Sequence, residues 1–431
     1  MPASPARRAA FDILLRVACE DAYAGDLLHS SLTEKLSDDD AALATELVMG
    51  TLRWQGALDS VLAAHVSGGL AKLDLGVLIA LRLGACQLLL TRVPPHAAVH
   101  ESVELARHMR KRSAAGLINA VLRKIATATL PDDAAVLSHP VWLVKRWRGE
   151  YGEAGARTIS EDDQRAPQVA LRLRDQRVED GLRAGGVELA PGRLLTSARR
   201  VVHGNVTRTS ASREGRVAIQ DEASQLVALL VGRGRRILDC CAAPGGKTAI
   251  LAERNPESEI VAAELHPHRA RQLRERLAGT QVEVRSGDIC VLAPSSTFNR
   301  VLADVPCSGT GTLARNPEIR WKLAPADLKD LQQRQQDILR AALRHLVPGG
   351  RAVYSTCSLE AEECERVVEN VLAEIPSFRT LPCAEVLDRL RDEGELSWSD
   401  LAGLLRGPYL RTLPGVHPCE GFFAAIIERI A

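Results

Sequence analysis

With 431 residues, 46% of them apolar and 25% charged, the chain has the composition of an ordinary globular protein of two or three domains. A formal net charge of +1 excludes a polyanion binder that works through overall charge, so any nucleic-acid contact has to come from local basic patches. Ten cysteines without a Cys-x-x-Cys pair speak against a zinc site or a disulfide framework and suit a reducing cytosol.

The start, Met1-Pro-Ala-Ser-Pro-Ala-Arg-Arg, lacks the apolar run of a signal peptide. Residues 5–128 read as helices joined by short breaks. Ala10, Ile13, Leu14 and Val17 fall at helical spacing, as do Leu43, Leu47, Leu52, Leu58 and Leu62 with small shifts of face. Asp74 is placed to cap an apolar helix from Leu75 to Leu90, and Pro94-Pro95 stops it. Lys72, Asp74 and Arg82 interrupt this stretch, so it is not a membrane span. Helical patterning continues over Ser102–Met109 and Ala115–Ile125. Arg107, Arg110, Lys111, Arg112, Arg123 and Lys124 cluster there, either as a solvated helix surface or as contacts to backbone phosphates. The stretch 1–130 is thus expected to be an all-helical module without catalytic residues.

From 131 to 220 the composition changes. His139-Pro-Val-Trp142 to Trp147-Arg148 reads as a helix start, with both tryptophans assigned to core. Val169 to Arg174 alternates like a half-buried strand, Val178–Ala184 is helical, and Val187–Leu189 and Val217–Ile219 are short strands. These residues are expected to form a small α+β subdomain that contacts RNA. Asp221 is placed to cap a helix over Glu222–Val231, which opens a third domain over 221–431.

The organising stretch of that domain is Arg236-Ile-Leu-Asp239-Cys-Cys-Ala-Ala-Pro-Gly245-Gly-Lys-Thr248. It reads as an apolar strand, a tight glycine turn and a helix, the arrangement that presents backbone N–H groups to a ligand at the end of a first strand. A Walker A loop would need glycine where Cys241 stands, and a dinucleotide fingerprint would need more than the pair Gly245-Gly246. Both fail, which disfavours a P-loop nucleotidase. A nucleoside without a phosphate chain remains, with S-adenosylmethionine as the leading candidate.

Strands then alternate with helices: Glu259–Glu264, Val282–Arg285 leading to Asp288, Arg300–Asp304, Arg351–Ser358 and a closing strand from Phe422, with helices over Asp327–Leu346 and Leu359–Leu372. The alternation predicts a mostly parallel sheet of Rossmann-like α/β type, its ligand above the strand ends. Glu264 lies about 25 residues past Asp239, the spacing of an acid that binds a ribose diol. Cys240 reads as a strand-end filler, and His266-Pro-His268 lacks the further ligands of a metal site, so none is expected.

Two strand ends each deliver a cysteine beside a serine, Cys307-Ser308 and Cys357-Ser358. The chemistry that needs a thiol beside a methyl donor is methylation of a pyrimidine at carbon 5. A thiolate adds to carbon 6, carbon 5 becomes nucleophilic, and an acid such as Asp304 polarises the ring. Which cysteine attacks is not decided by the residues alone.

The motifs Asp239–Thr248, Asp304-Val-Pro-Cys-Ser-Gly-Thr-Gly311, Asn316-Pro-Glu-Ile-Arg-Trp321, Tyr354-Ser-Thr-Cys-Ser358 and Glu420-Gly-Phe-Phe together resemble those of the Nol/Nop/Sun family of RNA cytosine-C5 methyltransferases. The first 130 residues are similar to the NusB-like domain of its bacterial Sun (RsmB) branch, which methylates 16S ribosomal RNA. The resemblance implies that Cys357 is the nucleophile and that Cys307 assists product release. It implies a cofactor site for S-adenosylmethionine made by Cys241, Ala242, Ala243, Pro244, Gly245, Gly246, Lys247, Glu264, Asp288 and Asp304. The expected partner is small-subunit ribosomal RNA, met by a cytoplasmic monomer, with no role for DNA or a membrane. A transfer-RNA methyltransferase and a non-catalytic RNA-binding assembly factor are the alternatives. Glu264 and Glu420 stand where the family commonly has aspartate.

Overall fold

The computed structural model describes residues 3–20, 22–173, 175–292 and 297–430. Met1, Pro2 and Arg174, on which sequence expectations fall, lie outside the described residues. The chain divides into two compact units: Met1–Ala166 with Leu313–Leu323, and Pro167–Thr312 with Ala324–Ala431.

The first unit is helical. Its helices include Pro5–Cys19, Asp38–Arg53, Leu75–Leu90, Pro95–His108, Ala115–Ile125 and Val141–Asp162. Asp74 caps Leu75–Leu90 as expected, accepting from Gly76 N at 3.0 Å. Leu81, Leu83 and Cys86 of this helix are buried with Phe11, Leu47, Leu105 and Leu122 in one core. Gly84 lets the helices approach closely, since a Cβ there would lie 2.4 Å from Leu122 Cδ1. The paired prolines do more than end a helix: Pro95 begins the next one, where its missing N–H costs nothing. Trp147 is buried and Trp142 half-buried.

The segment Leu313–Leu323 belongs to this helical unit although it follows a strand of the other. Arg320 is fully buried there and donates to Ser138 O at 3.1 Å and Leu313 O at 3.2 Å. Burial, then the Arg53 charge, work against the Arg320 guanidinium, and Asp163 and Glu318 offset only part of this, leaving it at about 10.

In the second unit, β1 (Ala170–Leu173), β2 (Glu188–Pro191), β3 (Ala198–His203) and β4 (Val217–Ile219) form an antiparallel sheet in the order β2-β3-β1-β4. The sequence does not announce β3, because Arg199 and Arg200 break its alternation. Asp221 caps the helix Glu222–Val231, accepting from Ala223 N at 2.8 Å.

The main sheet follows, with β5 (Arg236–Asp239), β6 (Glu259–Glu264), β7 (Val282–Ser286), β8 (Phe298–Asp304), β9 (Leu346–Thr356), β10 (Phe378–Leu381), β11 (Leu405–Arg406), β12 (Tyr409–Arg411) and β13 (Phe423–Arg429). Their order is β11-β12-β13-β9-β8-β5-β6-β7, with β10 also on β13. Strands β5 to β9 are mutually parallel, and β13 is antiparallel to β9. The chain leaves β5 toward β6 and β7, then returns on the other side at β8. That reversal opens a crevice at the carboxyl ends of β5 and β8.

One helix is shorter than its pattern suggests. Residues 358–363 form a loop and a 3-10 turn, and the helix starts only at Glu365. Leu359 N donates to Thr310 Oγ1 and Glu360 N to Ser358 Oγ, so side chains, not helical carbonyls, satisfy this backbone.

Candidate active site

At the end of β5 the chain turns through Cys240–Gly245 into the helix Gly246–Arg254. Gly245 sits at φ +100°, and a Cβ there would lie 2.7 Å from Leu273 Cδ1, so both conformation and space select glycine. A Cβ on Gly246 would crowd the Gln220 amide at 3.2 Å. Ala242 N donates to Ala263 O at 2.9 Å and fixes the loop on β6. Thr248 Oγ1 donates to Asp239 Oδ2 at 2.8 Å and ties the helix to the strand end. Ala243, Pro244 and Lys247 line a small cavity of about 100 Å³ on one side of the loop.

On the other side opens a cavity of about 770 Å³ lined by Cys241, Glu264, Asp288, Asp304, Cys307 and Cys357. Glu264, at the end of β6, accepts from His266 N at 2.9 Å. Asp288 follows β7 and accepts from Cys290 N at 2.9 Å. Asp304 ends β8 between Lys247 Nζ at 2.7 Å and Ser355 Oγ at 2.7 Å. Cys307 Sγ lies 3.4 Å from Cys357 Sγ, a contact of two free thiols. Every sequence-selected residue thus gathers around one loop and one crevice, while Asn316–Trp321 belongs to the helical unit.

The charges are strongly coupled. The hydrogen bond to Cys357, then burial, push the Cys307 thiol well up, so it holds its proton. Burial works to lower the Lys247 ammonium, but Asp304, Cys357 and Asp239 outweigh it and raise it instead. Burial drives the Asp239 carboxyl up to about 7 against the Thr248 hydrogen bond, and Asp304 adds to the rise. Burial also pushes the Cys240 and Cys241 thiols well up, which leaves both as inert, protonated groups.

Sequence reasoning missed what lies behind the thiols. Glu363 is fully buried and accepts from Ser308 N at 2.8 Å, Ser358 Oγ at 2.5 Å, Gln335 Nε2 at 2.9 Å and also Ser308 Oγ. One carboxylate therefore clamps the residues that follow both cysteines. The only hint in the sequence was a serine after each cysteine.

A model of the 16S rRNA methyltransferase RsmB/F family matches residues 227–428, and one of the NusB family matches residues 4–127. The probable ribosomal RNA small subunit methyltransferase B of Bacillus subtilis is 31% identical over the whole of both chains. Ribosomal RNA small subunit methyltransferase B of Klebsiella pneumoniae is 32% identical over 92% of each. The chain belongs to the RsmB/F methyltransferase family. A crystal structure of a methyltransferase homologue from Pyrococcus horikoshii superposes with a TM-score of 0.57 at 26% identity, covering 69% of this chain and 98% of that one.

The methyl donor of this RsmB/F chain is S-adenosylmethionine, and the crevice suits it. Glu264, Asp288 and Asp304 present carboxylates to a ligand with a ribose diol and a sulfonium charge, and the Lys247 ammonium of the loop is paired with Asp304. Beside the loop, Asp239 Oδ1 and Gln220 Oε1 are buried and find no hydrogen-bond partner among the described residues.

Proposed function

We propose that this chain methylates carbon 5 of a cytidine in 16S ribosomal RNA through a covalent adduct of Cys357. The observation that carries this reading is the thiol pair at 3.4 Å, set at the ends of β8 and β9 beside the Asp304–Lys247 ion pair. Bound S-adenosylmethionine supplies an electrophilic methyl group. Glu264 takes the ribose diol, Asp288 the adenine side, and the loop Cys241–Lys247 the remainder.

The family resemblance assigns the attack to Cys357 and product release to Cys307. Two observations support it: the hydrogen bond to Cys357 and burial push the Cys307 thiol well up, and the charge of Cys357 helps to raise the Lys247 ammonium. A target cytosine leaves its stack to enter the crevice. Cys357 Sγ bonds to carbon 6 while its thiol proton passes by way of Asp304 to N3, so the ring stays neutral and carbon 5 gains electron density. Once carbon 5 carries the methyl group, its proton must leave before the C6–S bond can break. Cys357 is by then a thioether and no longer hydrogen-bonds the Cys307 thiol, so Cys307 can give its own proton to solvent and then take the carbon-5 proton. Cys357 departs as thiolate, and N3 returns its proton to Asp304.

The ten cysteines are all free, which suits work in the reducing cytosol. Among the described residues no helix is long and apolar enough to cross a membrane. Nucleoside mass spectrometry after incubation with S-adenosylmethionine tests the substrate. The reading expects 5-methylcytidine in unmodified 16S RNA and none in transfer RNA; the reverse distribution, or a methyl group at another ring position, rejects it.

A further inference from the structure

A second cavity, of about 220 Å³, lies in the same unit at the opposite ends of the strands. It opens where Gly232 and Arg233 lead into β5, and its walls carry Arg254, Arg300, Arg351 and Arg389. Arg300 and Arg351 are register partners on the parallel strands β8 and β9, so two like charges stand side by side in the sheet. Arg254 is paired with Glu395 and, at 3.7 Å, with Glu393, and Arg351 with Glu428 at 3.2 Å. Among the described residues no carboxylate pairs with Arg300, whose Nη1 donates only to Asn299 O at 2.7 Å, or with Arg389. The guanidinium of Arg389 comes within 3.9 Å, and that of Arg300 within 4.0 Å, of one point beside Gly232.

The sheet therefore gathers unneutralised positive charge around a hollow, at a cost to its own stability. Burial, then Arg351 and Arg389, hold the Arg300 guanidinium below the usual arginine range. Arg233 and Arg389 are exposed at the mouth and Arg300 is half-buried within, which leaves the hollow open to an incoming anion. A water occupies about 30 Å³, so the space admits a phosphate group with part of its hydration shell. Planar forks converging on one point suit tetrahedral phosphate oxygens better than a monovalent halide.

We propose that this arginine pocket docks a backbone phosphate of the RNA substrate, on the side of the domain away from the thiols. The proposal rests on the reading of the chain as an RNA methyltransferase. A phosphate held here anchors RNA flanking the target without reading its sequence.

The test uses full-length protein with Arg389→Gln, Arg300→Gln and the double substitution. Arg389 is exposed, so its variant keeps the test open even if the Arg300 variant folds poorly. Inorganic phosphate, compared with chloride at equal ionic strength, is expected to raise the unfolding midpoint of the wild type by about 2–4 °C and that of the double variant not at all. RNA binding should weaken roughly 3–10-fold in the double variant, and the slope of log affinity against log salt should fall by about 0.7–0.9, one phosphate contact. KM for RNA should rise with kcat unchanged. No phosphate response overturns the pocket. A phosphate response with an unchanged RNA salt slope overturns its assignment to RNA and makes it a site for a free anion. Absence of methyl transfer by the wild type would count against the functional reading alone, because the binding slope is read without turnover.

Discussion

Four donors converge on the buried Glu363 carboxylate: Ser308 N, Ser308 Oγ, Ser358 Oγ and Gln335 Nε2. A glutamine at this position keeps one acceptor oxygen and turns an NH2 group toward groups that are themselves donors. Glu363→Gln is expected to destabilise the protein by about 2–3 kcal/mol, the range of hydrogen bonds to a buried charge. Its larger effect should fall on kcat, by at least about tenfold, because a displacement of either thiol near 1 Å spoils the attack. Denaturation and steady-state kinetics check both; a kcat within twofold of wild type would remove Glu363 from the positioning of the thiols. At this scale the sequence was partly legible. Cys307, Cys357 and Asp304 stood out because strand ends in a parallel sheet face the ligand. Glu363 did not, since a glutamate in Glu360-Ala-Glu-Glu363 looks like any solvated helix start, and only the fold reveals that it is buried.

Gly311 shows how separate motifs become one element. Its N–H donates to Cys357 O at 2.9 Å, and its carbonyl accepts from Gly421 N at 2.8 Å. The loops after β8 and β9 and the segment before β13 are thus stitched together through one glycine. A Cβ there would lie 2.1 Å from Gly421 O and 2.9 Å from Cys357 O, both backbone atoms that cannot swing away. Gly311→Ala should therefore cost about 1–3 kcal/mol and lower activity with it; an unfolding midpoint equal to wild type would show that the loops yield freely. The β-α alternation, the caps at Asp74 and Asp221 and most strand positions could be read from periodicity and cap residues. Strand β3 and the short strands β10 to β12 could not, being too brief or too charged to alternate. The helix expected from Leu359 starts only at Glu365, because the backbone N–H groups of Leu359 and Glu360 donate to the Thr310 and Ser358 hydroxyls instead of entering it.

At the scale of the molecule, the buried Asp239 links the cofactor loop to overall stability. Its carboxyl is raised to about 7, against roughly 3.9 in an unfolded chain. The folded state therefore binds this proton more tightly. Its stabilising contribution is complete below about pH 4 and is lost as pH rises toward 7, by up to about 4 kcal/mol. Asp239→Asn can still accept from Thr248 and carries no charge to bury. Compared with wild type, the variant should gain stability progressively from pH 4 to pH 7 and hold that gain at pH 8. A difference that does not change with pH would mean that Asp239 stays ionised throughout. The two-unit division was only partly visible from sequence. A helical first part is plain from its 3.6-residue period, but nothing in Asn316–Trp321 signals that it leaves its neighbours in the chain to bury Arg320 in the helical unit.

The central claim is the covalent division of labour between two thiols 3.4 Å apart. It is tested most directly by denaturing electrophoresis of wild type, Cys357→Ala and Cys307→Ala after incubation with 16S RNA and S-adenosylmethionine. The account predicts no protein–RNA adduct and no methyl transfer for Cys357→Ala, and an accumulated adduct with stalled turnover for Cys307→Ala. An adduct that persists in Cys357→Ala and vanishes in Cys307→Ala would contradict it and exchange the two roles.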